Sequence, residues 1–411
     1  MNLVTRMSLI ASLLLGLSVT ANADVITDWN DKVVVAGVKA SQAPFVHTRS
    51  VAIVHVVMFD AVNSIDRRYT PYRVQLSAAP GASREAAAAA AAHFSLVRLY
   101  PDQAKDFDAS YQVSLAAVPD GEPKSKGIQL GEQVAAEILA LRAKDGANAP
   151  NTYRPYAAAG TYVPTALPVG SSWGQVTPFA LKESSQFRPA APVSLQSMQW
   201  AKDFDEVKKM GAKTGAGRTA EQTDIARLWE ATGPGLHNPV PRQLAATKNL
   251  DLLDNARLFA LHAMAMADSY IAVFDAKYTY NFWRPVTAIR NGDMDGNDST
   301  ERDPTWEPLI PTPMHPEYPC AHCINAAAGA AVLEAIFGDA VPTFSLTSPT
   351  APGVTRRFSR LSHYVTESID SRVYDGVHYR ASGEVGASMG HKIGEYTVQN
   401  YLKPVRSLTA R

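Results

Sequence analysis

Three short stretches of the chain hold residues that could bind an oxyanion and move protons around it. In the first, Lys277-Tyr278-Thr279-Tyr280-Asn281-Phe282-Trp283-Arg284-Pro285, two cations stand seven residues apart, so a continuous helix would set both on one face. Such a pair ordinarily marks a solvated face. Tyr280, Phe282 and Trp283 between them point instead to burial, and buried cations need an anionic partner. In the second, His315-Pro316-Glu317-Tyr318-Pro319-Cys320-Ala321-His322-Cys323, prolines precede a helix start rich in small residues. The backbone N–H groups of Cys320, Ala321 and His322 would be free there, and the helix dipole favours an anion at that end. His322 can give or take a proton beside it. In the third, Ser371 to Arg380, Gly376 is expected to break a helix so that Arg372 and His378 converge. Arg372 offers a planar fork of donors suited to tetrahedral oxyanions, and His378 a neutral nitrogen that serves as metal ligand or nucleophile.

Taken in order, these stretches resemble the signature of the superfamily of vanadium-dependent haloperoxidases and type 2 phosphatidic acid phosphatases: Lys-x6-Arg-Pro, then Pro-Ser-Gly-His, then Ser-Arg-x5-His. The first and third elements are intact here, and the second reads Pro319-Cys320-Ala321-His322. Val54-His55, Met58 to Asn63 and Asp275 to Arg290 are similar to the bacterial secreted haloperoxidase-like group, and the similarity extends over most of the chain. The resemblance implies an all-α fold of two packed helical bundles and vanadate as cofactor, with phosphate competing for the same place. Lys277, Arg284 and Arg372 would neutralise the equatorial oxygens, and Cys320 and Ala321 would offer backbone N–H groups. His322 would be the acid–base residue. His378 would bind vanadium apically in a peroxidase or attack phosphorus in a phosphatase, and Lys277 would also polarise bound peroxide. His315 falls where bromide-oxidising relatives often carry a second histidine, and Trp283 is a further candidate for the halide pocket. His55 and His262 lie on helical patterns and read as core residues.

The departures from the signature carry their own chemistry. A thiol at position 320 donates weakly where a serine hydroxyl would donate to the oxyanion. A thiolate there would repel the anion, and peroxide would oxidise it. A disulfide between Cys320 and Cys323 would remove both difficulties, and an oxidising compartment permits it. Many related phosphatases place an aspartate four residues after the nucleophilic histidine; Ser382 stands at that offset here. The leading expectation is therefore a vanadate-dependent haloperoxidase-like enzyme acting on halide and hydrogen peroxide. A phosphomonoesterase working through a phosphohistidine is the alternative, and a diverged, non-redox oxyanion- or ligand-binding protein is the third reading.

Helices must position these residues. Val54, Met58 and Val62 form one i, i+4 stripe and Leu130, Val134, Ile138 and Leu141 another; Ser83 opens an alanine-rich run that Pro101 stops. Thr219 to Gln222 reads as a capping box. Long helices are expected from about Leu252 to Tyr280 and from Cys320 to Phe337, with Gly338 as C′ glycine. Few strands are credible. The segment 150–192, rich in proline, glycine and serine, reads as an ordered loop packed on a helical body. The Asp/Asn-dense segment 291–304 reads as a polar surface loop, since Asp298 and Pro304 stand where a calcium loop needs glycine and glutamate.

The chain has 411 residues, 46% hydrophobic, with zero formal net charge. It therefore has no basic field for nucleic acid, and an anion site must come from a local cluster. Residues 1–23 read as a signal peptide: Arg6 precedes an apolar run from Leu9 to Val19, and Ala21-Asn22-Ala23 fits the cleavage rule. A periplasmic or secreted protein without a stable membrane anchor is expected, and no later transmembrane span. An N-terminal helical region 24–250 is expected to precede a C-terminal region 251–411 that carries the site. A homo-oligomer is compatible with the sequence, which does not decide the point.

Overall fold

Small residues set how closely the helices approach, and two buried carboxylates order the long loops between them. The computed structural model describes residues 24–405, so the expected signal peptide lies outside the described residues. The order is α1 (Val25–Lys39), α2 (Pro44–Asp66), α3 (Arg84–Leu99), α4 (Ala104–Ala116), α5 (Glu122–Arg142), α6 (Met198–Met210), α7 (Ala220–Leu228), α8 (Pro234–His237), α9 (Pro239–Ala245), α10 (Leu252–Tyr280), α11 (Pro285–Arg290) and α12 (Ala321–Phe337). A hairpin of β1 (Ala340–Thr347) and β2 (Thr355–Arg360) then leads to α13 (Leu361–Tyr374) and α14 (Arg380–Asn400). Among the described residues the fold is all-α apart from this antiparallel pair, which registers Phe344 opposite Phe358.

One buried apolar cluster runs from Ile26 through α2, α3, α5, α10 and α12 to Leu402, crossing the region around residue 250 without interruption. The alanines of α3 let α5 come close: a Cβ added at Gly131 would lie 2.2 Å from the Ala87 carbonyl oxygen. Thr219 and Gln222 form the capping box of α7. Contrary to the sequence expectation, α2 and α10 are long and apolar enough to cross a membrane. Their most apolar windows are 83% and 94% buried inside the protein, as befits core helices.

Asp60 on α2 accepts from the N–H groups of Tyr72, Arg73 and Val74 at 2.6, 3.0 and 2.9 Å. Asp268 on α10 does the same for Phe179, Ala180 and Leu181 at 2.6, 2.7 and 2.8 Å. The second clasp holds the loop 150–192 against α10, with Trp173 and Phe179 buried. The loop after α11 is less superficial than its composition suggests: Asp295 is buried and accepts from Trp200 Nε1 at 2.7 Å.

Candidate active site

The two cations of the first stretch do not share a helix face. Helix α10 ends at Tyr280, and Asn281 takes a left-handed conformation (φ 49°) that turns the chain. Arg284 is the N-cap of α11, with Pro285 in that helix's first turn. Proline starts the new helix because its missing N–H costs nothing there. The bend, rather than helical spacing, lets Lys277 and Arg284 approach the same stretch of chain from two sides.

That stretch is His315 to Glu317. Lys277 Nζ is fully buried and donates to the carbonyls of Pro316 and Glu317 at 2.9 and 2.7 Å. Arg284 donates through Nε to the His315 carbonyl at 3.0 Å and through Nη2 to His315 Nδ1 at 3.0 Å. Its Nη1 reaches the Val377 carbonyl at 2.8 Å and Nε2 of His378 at 3.2 Å. A guanidinium only donates, so His378 Nε2 accepts and the ring proton is on Nδ1. That proton meets Glu317 Oε1 at 2.6 Å. Both partners are buried.

Helix α13 stops at Tyr374, and Gly376 (φ 83°) reverses the chain between Arg372 and His378. Arg372 is buried, forms an ion pair with Asp375 at 2.7 Å and donates to the Trp229 carbonyl at 3.1 Å; its Nε has no partner. His322, in the first turn of α12, is buried beside the backbone of Glu230 with Nε2 unpartnered. The Ala321 and His322 N–H groups lie in that first turn, outside the helical ladder. The Cys320 N–H, expected to face the anion, is instead spent on the Ser382 carbonyl at 3.2 Å. The reason is the close approach of α14 to the start of α12. Cys320 and Cys323 are joined as a disulfide, and Cys320 Sγ caps α12 by accepting from the Cys323 N–H at 3.2 Å. Trp283 stacks on Trp200 with ring centroids 5.9 Å apart, committed to an aromatic cluster beside the site. His55 packs on Phe259 and accepts from Asn30 at 2.8 Å; it and His262 are buried in the core.

Burial disfavours every charge in this cluster. It lowers Lys277 well below its ordinary value, reinforced by Arg284 and opposed by Glu317. His378 and His322 are held far below the usual imidazole range, first by burial and then by neighbouring cations. Glu317 and Asp375 are each pushed up to about 7 by burial, against the pull of Lys277 and Arg372 respectively. Three buried cations thus face two reluctant carboxyls, and the Arg372 Nε–H points at no protein acceptor. A tetrahedral oxyanion matches this donor set in charge and in hydrogen-bond sense.

Residues 257–407 match the family model described as the VCPO second helical-bundle domain. A vanadium chloroperoxidase from Curvularia inaequalis is 27% identical over 197 residues, covering 40% of this chain. The match spans about a third (31%) of that relative's length. The solved structure described as the first bacterial vanadium-dependent iodoperoxidase superposes with a TM-score of 0.78 at 25% identity, covering 93% of this chain and 98% of that one. Residues 257–407 thus carry the second helical-bundle domain of the vanadium chloroperoxidase family, and the fold of vanadium-dependent haloperoxidases extends over most of the chain. A bacterial vanadium-dependent chloroperoxidase structure, 17% identical with a TM-score of 0.68, shares the fold over 87% of this chain. Against the superfamily signature, the residue that sequence reasoning passes over is Glu317. Its signal was a lone carboxylate inside a stretch otherwise suited to anions.

Proposed function

We propose that the protein is a vanadate-dependent haloperoxidase, exported from the cell, that oxidises halide with hydrogen peroxide. The observation that carries this reading is the state of His378: a buried neutral imidazole with Nδ1–H fixed on Glu317 and Nε2 turned toward a cluster of three cations. The likeness to the bacterial iodoperoxidase structure along nearly the whole chain supports it. Lys277, Arg284, Arg372 and the Ala321 N–H would hold vanadate's oxygens, and His378 Nε2 would face the metal. When bound, vanadate supplies a Lewis-acidic centre that activates hydrogen peroxide toward halide. Glu317 keeps the imidazole in one tautomer, so Nε2 carries a lone pair without a proton transfer, held here by Arg284 Nη1 at 3.2 Å. His322 Nε2 holds or moves a proton at the oxyanion's edge. His315, fixed by Arg284, borders the same space and is the candidate halide neighbour.

One observation favours the phosphatase reading as the alternative. Glu317 supplies from another part of the chain the orienting carboxylate that the offset after His378 lacks, and an oriented neutral imidazole is also a nucleophile for phosphorus. The test places purified protein with added vanadate and hydrogen peroxide beside iodide or bromide, and in parallel without vanadate beside a chromogenic phosphate ester. Vanadate-dependent halide oxidation is expected. Ester hydrolysis that vanadate inhibits would replace this reading with the phosphatase. Neither activity would leave a diverged oxyanion-binding protein. His378→Ala should lower the observed turnover by at least about a hundredfold, and full turnover in that variant would remove His378 from its role.

A further inference from the structure

Behind Glu317, away from His378, lies a second cavity of about 190 Å³. Its walls are Trp200, Phe282 and Tyr318, and its outer side is the strap Pro189 to Val193. The strap is fixed by two tyrosines: Tyr280 donates its hydroxyl to the Pro189 carbonyl, and Tyr318 donates to the Ala190 carbonyl at 2.9 Å. The inner end is polar. Glu317, Tyr379 and Ser382 all line it and all are buried; the Ser382 hydroxyl lies against the Glu317 carboxyl, and the Tyr379 hydroxyl makes no hydrogen bond. Asp203, the other carboxyl on the wall, is taken up by Gln199 at 2.8 Å and the Ala381 N–H at 3.3 Å. An unpartnered phenol hydroxyl beside a carboxyl at the end of an aromatic slot is costly unless something meets it.

We propose that this cavity is a binding site for a small neutral aromatic alcohol: a single ring carrying one hydroxyl. The volume sets the size, since a dry cavity of about 150 Å³ already accepts benzene. The aromatic walls suit a ring packed edge to face. The polar end selects the substituent. A hydroxyl donates to the Glu317 carboxyl and accepts from Tyr379, matching both senses at once. An ammonium would only donate and would leave the Tyr379 hydroxyl hydrogen unmet, and a carboxylate would face the Glu317 carboxyl. The proposal is independent of which reaction the oxyanion site performs.

Isothermal titration of the full mature chain with phenol, and separately with toluene, tests it. Phenol is expected to bind saturably and at least tenfold more tightly than toluene, the difference a hydrogen bond to a charged acceptor makes. Val193→Trp should fill the entrance and abolish phenol binding, with circular dichroism and the melting temperature reporting that it folds. Tyr379→Phe, which removes no existing hydrogen bond, should weaken phenol severalfold and leave toluene unchanged. Absence of saturable phenol binding to the unaltered protein would overturn the proposal, leaving the cavity to water. Equal affinity for phenol and toluene, or unchanged binding in both variants, would overturn it as well.

Discussion

His378 can offer Nε2 as a lone pair only while Nδ1 keeps its proton, and the carboxylate of Glu317 opposes the loss of that proton through a 2.6 Å hydrogen bond. Glu317→Gln preserves shape and an acceptor oxygen but removes the charge. Loss of such an outer partner typically costs 10–100-fold in affinity, so vanadate and phosphate should bind roughly 10–100-fold more weakly by competition titration, while the melting temperature changes little. Unchanged anion affinity would mean that the imidazole orients itself. That Lys277, Arg284, Arg372, His322 and His378 come together was suggested by the resemblance of their three stretches to one signature and not by helical spacing, since Asn281 turns the chain between Lys277 and Arg284. Glu317 was not, because it meets His378 across 61 residues and only the folded chain brings them together. The Cys320 position was half legible. The sequence exposes the weak thiol donor, but the loss of its N–H to Ser382 depends on where α14 lies. A second prediction follows at this residue. Cys320→Ser combined with Cys323→Ala restores a hydroxyl donor and gives α12 a stronger N-cap than sulfur. Phosphate affinity should rise about tenfold, the size of a hydrogen bond to a charged group. A fall in affinity would show that the disulfide itself shapes the pocket.

The helices that carry these residues are held in place by contacts between backbones. Along α14, Gly386, Gly390 and Gly394 recur every four residues and lie on α12. A Cβ at those positions would come within 2.7, 2.2 and 2.5 Å of the carbonyl oxygens of Cys320, Ile324 and Ala328. The Cys320 N–H bond to Ser382 closes the same contact at its upper end, so α14 fixes the turn of α12 that presents His322. Gly390→Val must therefore push the two helices apart or distort α12. A cost of roughly 3 kcal/mol, at the upper end for overpacking, is expected from urea unfolding, with phosphate affinity reduced in the protein that remains folded. Stability within about 0.5 kcal/mol of the unaltered protein would show that the helices slide freely. At this scale the apolar periodicity announced α10 and α12 almost to the residue, because long, strongly patterned helices need no tertiary information. The hairpin was not announced. β2, Thr-Arg-Arg-Phe-Ser-Arg, buries only Phe358 and so has almost no alternating signal, and β1 is interrupted by an irregular register between Ala340 and Phe344. Nor could any local pattern show that Asp60 and Asp268 clasp distant loops, since a lone acid on an apolar helix reads the same whatever it binds.

Across the whole molecule, a chain with zero net charge hides many ionisable groups, and their balance sets its response to acid. Outside the oxyanion cluster, burial lowers His47 and His262 to about 4 and His55 and His237 to about 3. It raises Asp60, Asp203 and Asp268 to about 6. The two sets pull in opposite directions. A buried neutral imidazole binds its proton only on unfolding, so its stabilising effect is complete above pH 6.5 and is lost as the pH falls toward its folded value. A carboxyl protonated in the fold does the reverse and contributes more as the pH falls through 6. His47 isolates one member of the balance. It packs so tightly on α1 that a Cβ at Gly37 would lie 2.1 Å from its ring, and its Nε2 donates to the Val33 carbonyl at 3.2 Å. Glutamine can keep that donation without titrating. His47→Gln should therefore flatten the fall in stability between pH 6.5 and about 4. Unfolding free energies from urea titrations of the two proteins should diverge by about 1.4 kcal/mol per pH unit across that window. The variant should be the less acid-sensitive, and the gap should close to a constant below the window. Parallel curves would mean that His47 is already protonated in the fold, and the tight α1–α2 contact built around a neutral ring would have to be rejected.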